Sequence, residues 1–260
     1  MSQDLRSHTR RRHERLLGLL RSGTTHVDDL AAALEVSPST VRRDLGRLGE
    51  AGAVTRTYGG AVTSGPFHER ELSERLQIEQ QAKAAIGLRA AELVEDGATI
   101  FVDAGSTCAQ LAEQLYDRRL TVLTRGLEIA IMLAPAPHVD VVVSGGRVAP
   151  KSHGLVGPLT DLTLERMVVD AAFLGVDAVD PHDGVGEPTL AEAEVKERVA
   201  QRARRVVVLA DATKLGREGV PAWAPLPPGW TLVTNEAPPE TLAAFRDAGV
   251  EVLQVAVPAQ

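Results

Sequence analysis

Two hydrophobic rhythms divide the chain. Up to about residue 50, apolar residues return every three or four positions, the period of a helix with one buried face. Arg12, Leu16, Leu17, Leu19 and Leu20 predict an amphipathic helix ending at Gly23. Thr25-His26-Val27 is expected as a short strand. Leu30, Ala31 and Leu34 predict a second helix with Asp28 as its cap, and Glu35-Val36 a tight turn. Val41, Leu45 and Leu48, at i, i+4 and i+7, predict a third helix, with Gly52 ending it. Val54 to Val62 then alternates around Gly59-Gly60, the pattern of a hairpin. Three helices followed by a basic hairpin make a winged helix, assigned to residues 1–62.

The third helix is the candidate for chemistry in this half. Ser37 suits an N-cap and Pro38 the first helical position, where its missing N–H costs little. Ser39, Thr40, Arg42, Arg43 and Arg47 lie away from the Val41–Leu45–Leu48 face. Small hydroxyls followed by forked guanidiniums suit base edges and flanking phosphates. Ser37, Ser39, Thr40, Arg42, Arg43 and Arg47, with Arg56 and Tyr58 of the hairpin, are therefore the candidate DNA contacts. An ordinary solvated basic face would look the same from these helix residues alone.

Residues 63–77 are expected as a linker, since Thr63-Ser64-Gly65-Pro66 breaks any regular element. Gln77 to Val94 predicts a long helix. Beyond it the rhythm changes, and apolar runs alternate with amphipathic stretches. Candidate strands are Thr99–Asp103, Leu120–Thr124, Val139–Ser144, Ala171–Val176, Arg205–Ala210, Leu232–Thr234 and Val250–Val255. Candidate helices are Thr107–Tyr116, Leu127–Leu133, Leu159–Arg166, Leu190–Arg202 and Glu240–Asp247. This alternation predicts a mostly parallel α/β sheet covered by helices over residues 78–260. Pro221 to Gly229, with its four prolines, is expected as an irregular loop.

Ligands of open α/β sheets bind beyond the carboxyl ends of the strands. Here those ends carry Asp103, Gly105, Ser106 and Thr107; Thr124 and Arg125; Gly145 and Gly146; Gly175 and Asp177; and Lys214. A Gly-Ser-Thr turn opening a helix offers N–H groups and hydroxyls to an anion. These residues are the candidate effector contacts. Any one of them alone is ordinary turn chemistry.

Both halves resemble the DeoR family of bacterial regulators. In the first half the resemblance rests on Val36-Ser37, Thr40-Val41-Arg42-Arg43-Asp44-Leu45, Leu48, Gly52 and Tyr58-Gly59-Gly60-Ala61. In the second it rests on Asp103-Ala104-Gly105-Ser106-Thr107, Thr124, Gly145-Gly146, Gly154-Leu155-Val156-Gly157-Pro158, Phe173-Leu174-Gly175-Val176-Asp177, Glu192 with Lys196, and Ala210-Asp211-Ala212-Thr213-Lys214. Phe67, Glu69 and Arg70 fit the family's connector. The resemblance implies a winged helix-turn-helix joined to a sensor domain similar in fold to ribose-phosphate isomerases. It further implies a repressor of a carbohydrate-metabolism operon, released by a phosphorylated sugar or related phosphometabolite. Arg125 departs from the family's usual Asn; it reads either as a surface arginine or as a second cationic contact.

Composition refines this picture. The formal net charge of −7 conceals an asymmetry, because residues 1–60 hold ten Arg against seven acidic residues and the remainder is acidic. Arg6, Arg10, Arg11, Arg12 and Arg15 cluster at the start of the first helix, where one or two phosphate contacts are the most to expect. Only four lysines stand beside 24 arginines; Lys214 is read as a ligand contact, Lys83 and Lys196 as partners in structural ion pairs. One cysteine, Cys108, permits no intrachain disulfide and is read as a small buried side chain rather than a reactive thiol. No apolar run is long enough for a bilayer and no secretory leader is legible, so a cytoplasmic location is expected. The seven histidines show no metal-ligand spacing, and neither metal nor cofactor is expected. The expected partners are double-stranded operator DNA, a phosphorylated sugar effector and further copies of the chain, with no membrane. The rival reading is a sugar-phosphate isomerase using Asp103, Asp177 and Lys214. An operator-reading domain argues against it, so no enzyme is expected.

Overall fold

In the computed structural model the chain divides after His68 into two units, Met1–His68 and Glu69–Gln260. Residues 12–20, 24–50, 54–57, 60–63, 67 and 69–257 are described.

In the first unit, residues 12–20 form helix α1, followed by α2 (Val27–Leu34) and α3 (Pro38–Glu50). Strands β1 (Val54–Thr57) and β2 (Gly60–Thr63) pair antiparallel. Leu16, Leu20, Leu30, Leu34, Val41, Leu45, Leu48 and Val54 close one core, each burial contributing about 1.5–3 kcal/mol. Three details differ from the expected pattern. Helix α2 opens at His26 without a side-chain cap, and Asp28 lies in its first turn, where its charge still suits the helix dipole. Val27 begins that helix, so the expected strand is reduced to one bridge, His26 to Gly60. Gly60 belongs to β2: a Cβ there would lie 1.8 Å from the Thr25 carbonyl oxygen, so the bridge needs glycine. The expected helix stop at Gly52 lies outside the described residues.

The second unit carries a sheet of seven strands: β3 (Thr99–Val102), β4 (Leu120–Thr124), β5 (Val139–Val143), β8 (Val169–Gly175), β11 (Ala203–Leu209), β13 (Thr231–Thr234) and β14 (Glu251–Gln254). All pairings are parallel, in the order β14-β13-β11-β8-β3-β4-β5. Successive residues feed opposite layers. Ile100, Val102, Phe173 and Val207 join one core with Ile86, Leu111 and Leu133. Phe101, Leu174 and Val208 join the other with Val195, Val199 and Phe245. Burial on both faces is why these strands read as continuous apolar runs. Helices α5 (Gln80–Ala91), α6 (Ser106–Glu113) and α7 (Leu127–Leu133) pack on the first face; α8 (Pro158–Arg166), α9 (Leu190–Arg202) and α10 (Pro239–Asp247) serve the second. The chain winds outward from β3 to β5, then returns to β8 on the other side of β3. The strand order therefore reverses between β3 and β8, where such sheets leave a crevice.

Two expectations change here. The long helix over 77–94 is interrupted. A short α4 (Leu72–Gln77) precedes α5, and Glu79 between them takes a left-handed conformation at φ 52°. Lys83, expected in an ion pair, instead donates to the carbonyls of Arg75 (2.5 Å) and Ile78 (2.6 Å) and so terminates α4. The proline-rich 221–229 stretch contains strand β12 (Ala222–Ala224). It pairs with β10 (Gly184–Glu187), which pairs in turn with β9 (Ala178–Asp180). The prolines flank β12 rather than interrupt it, so its donors stay available. A small hairpin of β6 (Arg147–Val148) and β7 (Leu155–Val156) completes the strands.

Candidate functional site

The first unit presents α3 as its polar helix. The Ser37 hydroxyl accepts a hydrogen bond from Thr40 N at 3.2 Å and lies 2.8 Å from both Ser39 Oγ and Thr40 Oγ1, so it caps the helix as the sequence implied. Val41 and Leu45 are buried; Ser39, Arg42, Arg43 and Arg47 are exposed on the remaining surface, and Thr40 is half-buried beside them. The helix is held from within by Asp44, which is buried and receives Arg12 Nε at 2.6 Å, with His13 Nε2 at 3.1 Å. Burial pushes the Asp44 carboxyl up, but the hydrogen bond from Arg12 and the nearby His13 ring outweigh it and hold the group below the usual aspartate range. Arg12 thus serves the fold, and Arg15 donates to the Ala33 carbonyl at 3.3 Å. Arg56 lies in β1; Tyr58, Arg6, Arg10 and Arg11 lie outside the described residues.

In the second unit the reversal between β3 and β8 gathers buried charge. Asp103, directly after β3, receives Arg125 Nε at 2.5 Å on one oxygen and Lys196 Nζ at 2.7 Å on the other. Lys196, from α9, also donates to the Gly175 carbonyl at the end of β8 and lies 2.9 Å from Glu187 Oε1. Glu192, one turn before Lys196, accepts from Ser152 Oγ (2.6 Å) and Thr189 Oγ1 (2.9 Å). Asp103, Arg125, Glu187, Glu192 and Lys196 are all essentially solvent-free. Burial pushes the Asp103 carboxyl up, yet its two cations hold it below the ordinary range. Burial draws Lys196 down, but Asp103 and Glu187 raise it to about 12. Glu187 is pushed up to about 8 by burial, Lys196 opposing and Asp177 and Asp103 adding.

Arg125 is therefore not the surface arginine of the first reading: only 1% of it is exposed. Its Nη1 stands 3.9 Å from Glu192 Oε1 and has no hydrogen-bond partner among the described residues. A side chain at Gly154 would occupy the same space, since a Cβ there would lie 2.3 Å from Nη1 and 3.1 Å from the Ala104 Cβ. Beside this network, Gly105 (φ 113°) opens α6 with no side-chain cap, and Ser106 and Thr107 form its first residues. The uncapped start leaves first-turn N–H groups for an anion.

A second cluster surrounds Asp177. Lys214 Nζ, in the 3-10 turn Ala212–Lys214, lies 3.4 Å from Asp177 Oδ1, and Arg75 Nη1 lies 3.6 Å from Oδ2. Arg217 donates to the Asp177 carbonyl at 3.3 Å. Burial pushes Asp177 up, and Lys214, Arg75 and Arg217 overcome it. Lys196 also lowers Asp177, which links the two clusters.

The structure thus brings Asp103, Arg125 and Gly175 into one network through Lys196, and joins Asp177 to Lys214. Thr124 is buried at the end of β4, its hydroxyl accepting from Gly126 N at 2.9 Å. Gly145 and Gly146 follow the edge strand β5, and the close approach expected of a ligand is made by the protein itself. Thr160 Oγ1 donates to the Gly145 carbonyl at 2.6 Å, and a Cβ at Gly146 would lie 2.4 Å from that hydroxyl. Arg75, Glu187 and Arg217 were not anticipated. Glu192 and Lys196 stood four apart on one helix face, and Thr189, three residues ahead of Glu192, caps that helix by accepting from Glu192 N. Cys108 is buried on α6, and burial pushes its thiol far up, so it is not a ready nucleophile. No described helix is long and apolar enough to cross a membrane.

Two family models match. Residues 12–66 match the DeoR-like helix-turn-helix domain, and residues 78–236 match the DeoR C terminal sensor domain. The HTH-type transcriptional repressor CsqR of Escherichia coli (strain K12) is 31% identical over 250 residues, covering 93% of this chain and 94% of its own. The glycerol-3-phosphate regulon repressor of Haemophilus influenzae is 29% identical over 229 residues, covering 87% and 89%. Among solved structures, a ribose 5-phosphate isomerase A from Methanocaldococcus jannaschii aligns with a TM-score of 0.39 at 20% identity, covering 52% of this chain and 54% of its own.

Proposed function

Since the chain belongs to the DeoR family of transcriptional regulators, we propose that it is an operator-binding repressor released by a phosphorylated small metabolite. The observation that carries the DNA half is the exposed Ser39, Arg42, Arg43 and Arg47 surface of α3, set on a core that Asp44 locks to Arg12. Ser37, Ser39, Thr40, Arg42, Arg43, Arg47, Arg56 and Tyr58 are assigned to DNA. One such head gives limited affinity, so the working species is a homo-oligomer reading repeated half-sites.

The effector's phosphate is assigned to the uncapped start of α6, at Gly105, Ser106 and Thr107. Lys214 neutralises charge, and Asp177 accepts from sugar hydroxyls. Asp103 holds Arg125 and Lys196 in place, because both its oxygens are already engaged. Arg125 Nη1, with hydrogen-bonding capacity to spare, supports an anionic ligand on this side of the crevice. A relative named for a glycerol-3-phosphate regulon fits a phosphorylated effector. The cytoplasm is the expected compartment for such a regulator. Release follows only if the effector binds the DNA-incompetent state more tightly.

An isomerase acting through Asp103, Asp177 and Lys214 is the reading not favoured, because both oxygens of Asp103 are already held by Arg125 and Lys196. The test is an operator-release assay with a panel of sugar phosphates and their unphosphorylated counterparts, run with wild type and Thr107→Glu. Wild type should release DNA with a phosphorylated compound only, since the plain sugar leaves buried donors unpaired. Thr107→Glu should hold operator and ignore the effector. A Thr107→Glu protein that responds like wild type removes the phosphate from this turn; turnover of the sugar phosphate by wild type would make the chain an enzyme.

A further inference from the structure

We propose that the segment joining the two units is itself part of the effector site, with Arg75 a direct ligand of the effector's phosphate. The inference rests on the reading of the strand-end crevice as that site. The unit boundary falls between His68 and Glu69, so residues 69–77 are the first of the sensor after the DNA-reading unit. Their backbone is pinned at several points. Lys151 Nζ donates to the Glu69 carbonyl at 2.7 Å, Leu72 N donates to the Lys151 carbonyl at 3.0 Å, and Lys83 holds the Arg75 carbonyl. Helix α4, which carries Arg75, packs against α6, whose amino end is the assigned phosphate seat.

The guanidinium of Arg75 is only loosely engaged. It lies 3.6 Å from Asp177 and 3.8 Å from Glu69, and donates to the Lys151 carbonyl at 3.2 Å. Bonds between a guanidinium and a carboxylate run at about 2.7–2.9 Å. Arg75 Nε is buried and has no hydrogen-bond partner among the described residues. Lys214 lies 3.4 Å from the same aspartate, Arg217 bonds its carbonyl, and Arg70 stands within electrostatic reach of Asp177 and Asp211. Four cations thus gather at Asp177, and the ion pairs that Arg75 and Lys214 make with it, at 3.6 and 3.4 Å, are both long. Glu69, pushed up to about 7 by burial, with Glu192 and Asp177 adding, supplies only part of the balancing charge. A phosphomonoester would offer the Arg75 fork a closer, doubly charged partner than either carboxylate now does. Arg75 would then tie the ligand to the connector, and occupancy would be felt directly at the residues leading from the DNA-reading unit.

The experiment uses the full-length protein and inorganic phosphate as the probe, titrated calorimetrically into wild type, Arg75→Gln and Thr107→Glu. Wild type should bind, and Arg75→Gln should bind about tenfold more weakly or worse, the scale of one lost hydrogen bond to a charged group. Amides of residues 69–77 in wild type should gain protection from hydrogen exchange when phosphate is added, a readout that survives even if the variant folds poorly. Arg75→Gln binding as tightly as wild type, or tighter because Asp177 has been freed, overturns the proposal; so does unchanged protection over 69–77. If Thr107→Glu loses phosphate while Arg75→Gln keeps it, the crevice reading stands and the connector role fails. Wild type that binds no phosphate overturns both.

Discussion

Replacing Glu187 by Gln should stabilise the protein, and the gain should grow with pH. Glu187 sits at the end of β10 in a sealed network of three carboxyls, on Asp103, Glu187 and Glu192, against two cations, Arg125 and Lys196. The network is neutral only when one carboxyl keeps its proton. Glu187 is that group, raised from an ordinary 4.5 to about 8. The unfolded chain releases this proton near pH 4.5 while the folded chain holds it to about 8, so the folded state binds more protons and stability falls as pH rises between the two values. Each pH unit in that window removes about 1.4 kcal/mol. Glutamine has no proton to lose and keeps the shape. Its advantage should be about 1 kcal/mol at pH 5.5, about 3 at pH 7, and nearer 5 above pH 8. At pH 7 that corresponds to roughly 6–12 °C in Tm for a protein of this size. The assay is urea denaturation of both proteins from pH 5 to 8.5. A poorly seated amide would add a constant cost and leave the slope intact. A difference that is flat, or that shrinks with rising pH, refutes the charge-balance argument.

Arg42→Ala and Arg43→Ala should each weaken operator binding by roughly 1–3 kcal/mol if a base contact is lost, or lower the salt dependence if a phosphate contact is lost; wild-type fluorescence anisotropy curves for both would remove the assignment. Gly60→Ala should cost about 1–3 kcal/mol, because its Cβ would drive the Thr25 carbonyl off the His26–Gly60 bridge; an unchanged melting curve would contradict the close approach. Cys108 should resist iodoacetamide in the native protein and react once it is unfolded in urea, as mass spectrometry would show; rapid native alkylation would place the thiol near solvent.

Local rhythm was enough to locate most elements. All seven strands of the large sheet and the helices α6 to α10 lie within a few residues of where apolar spacing put them, because burial on one face or two leaves a periodic trace in the sequence. The same holds for Ser37, whose capping bond joins residues three apart. What failed was non-local. The break at Glu79 depends on Lys83 reaching back to two carbonyls, and β12 exists because β10, some forty residues away, offers it a partner. Residues at strand ends could be nominated one by one, but their grouping follows from strand order, which no single strand encodes. The reversal between β3 and β8 brings Asp103 and the Gly175 carbonyl within reach of Lys196, which lies 93 positions beyond Asp103. It is also why Arg125, which the sequence left open between surface and ligand, is sealed against Asp103. Sequence spacing sets which side chains share a face of one element. Which faces then meet, and so which charges must neutralise one another out of water, is decided only when the sheet closes over them.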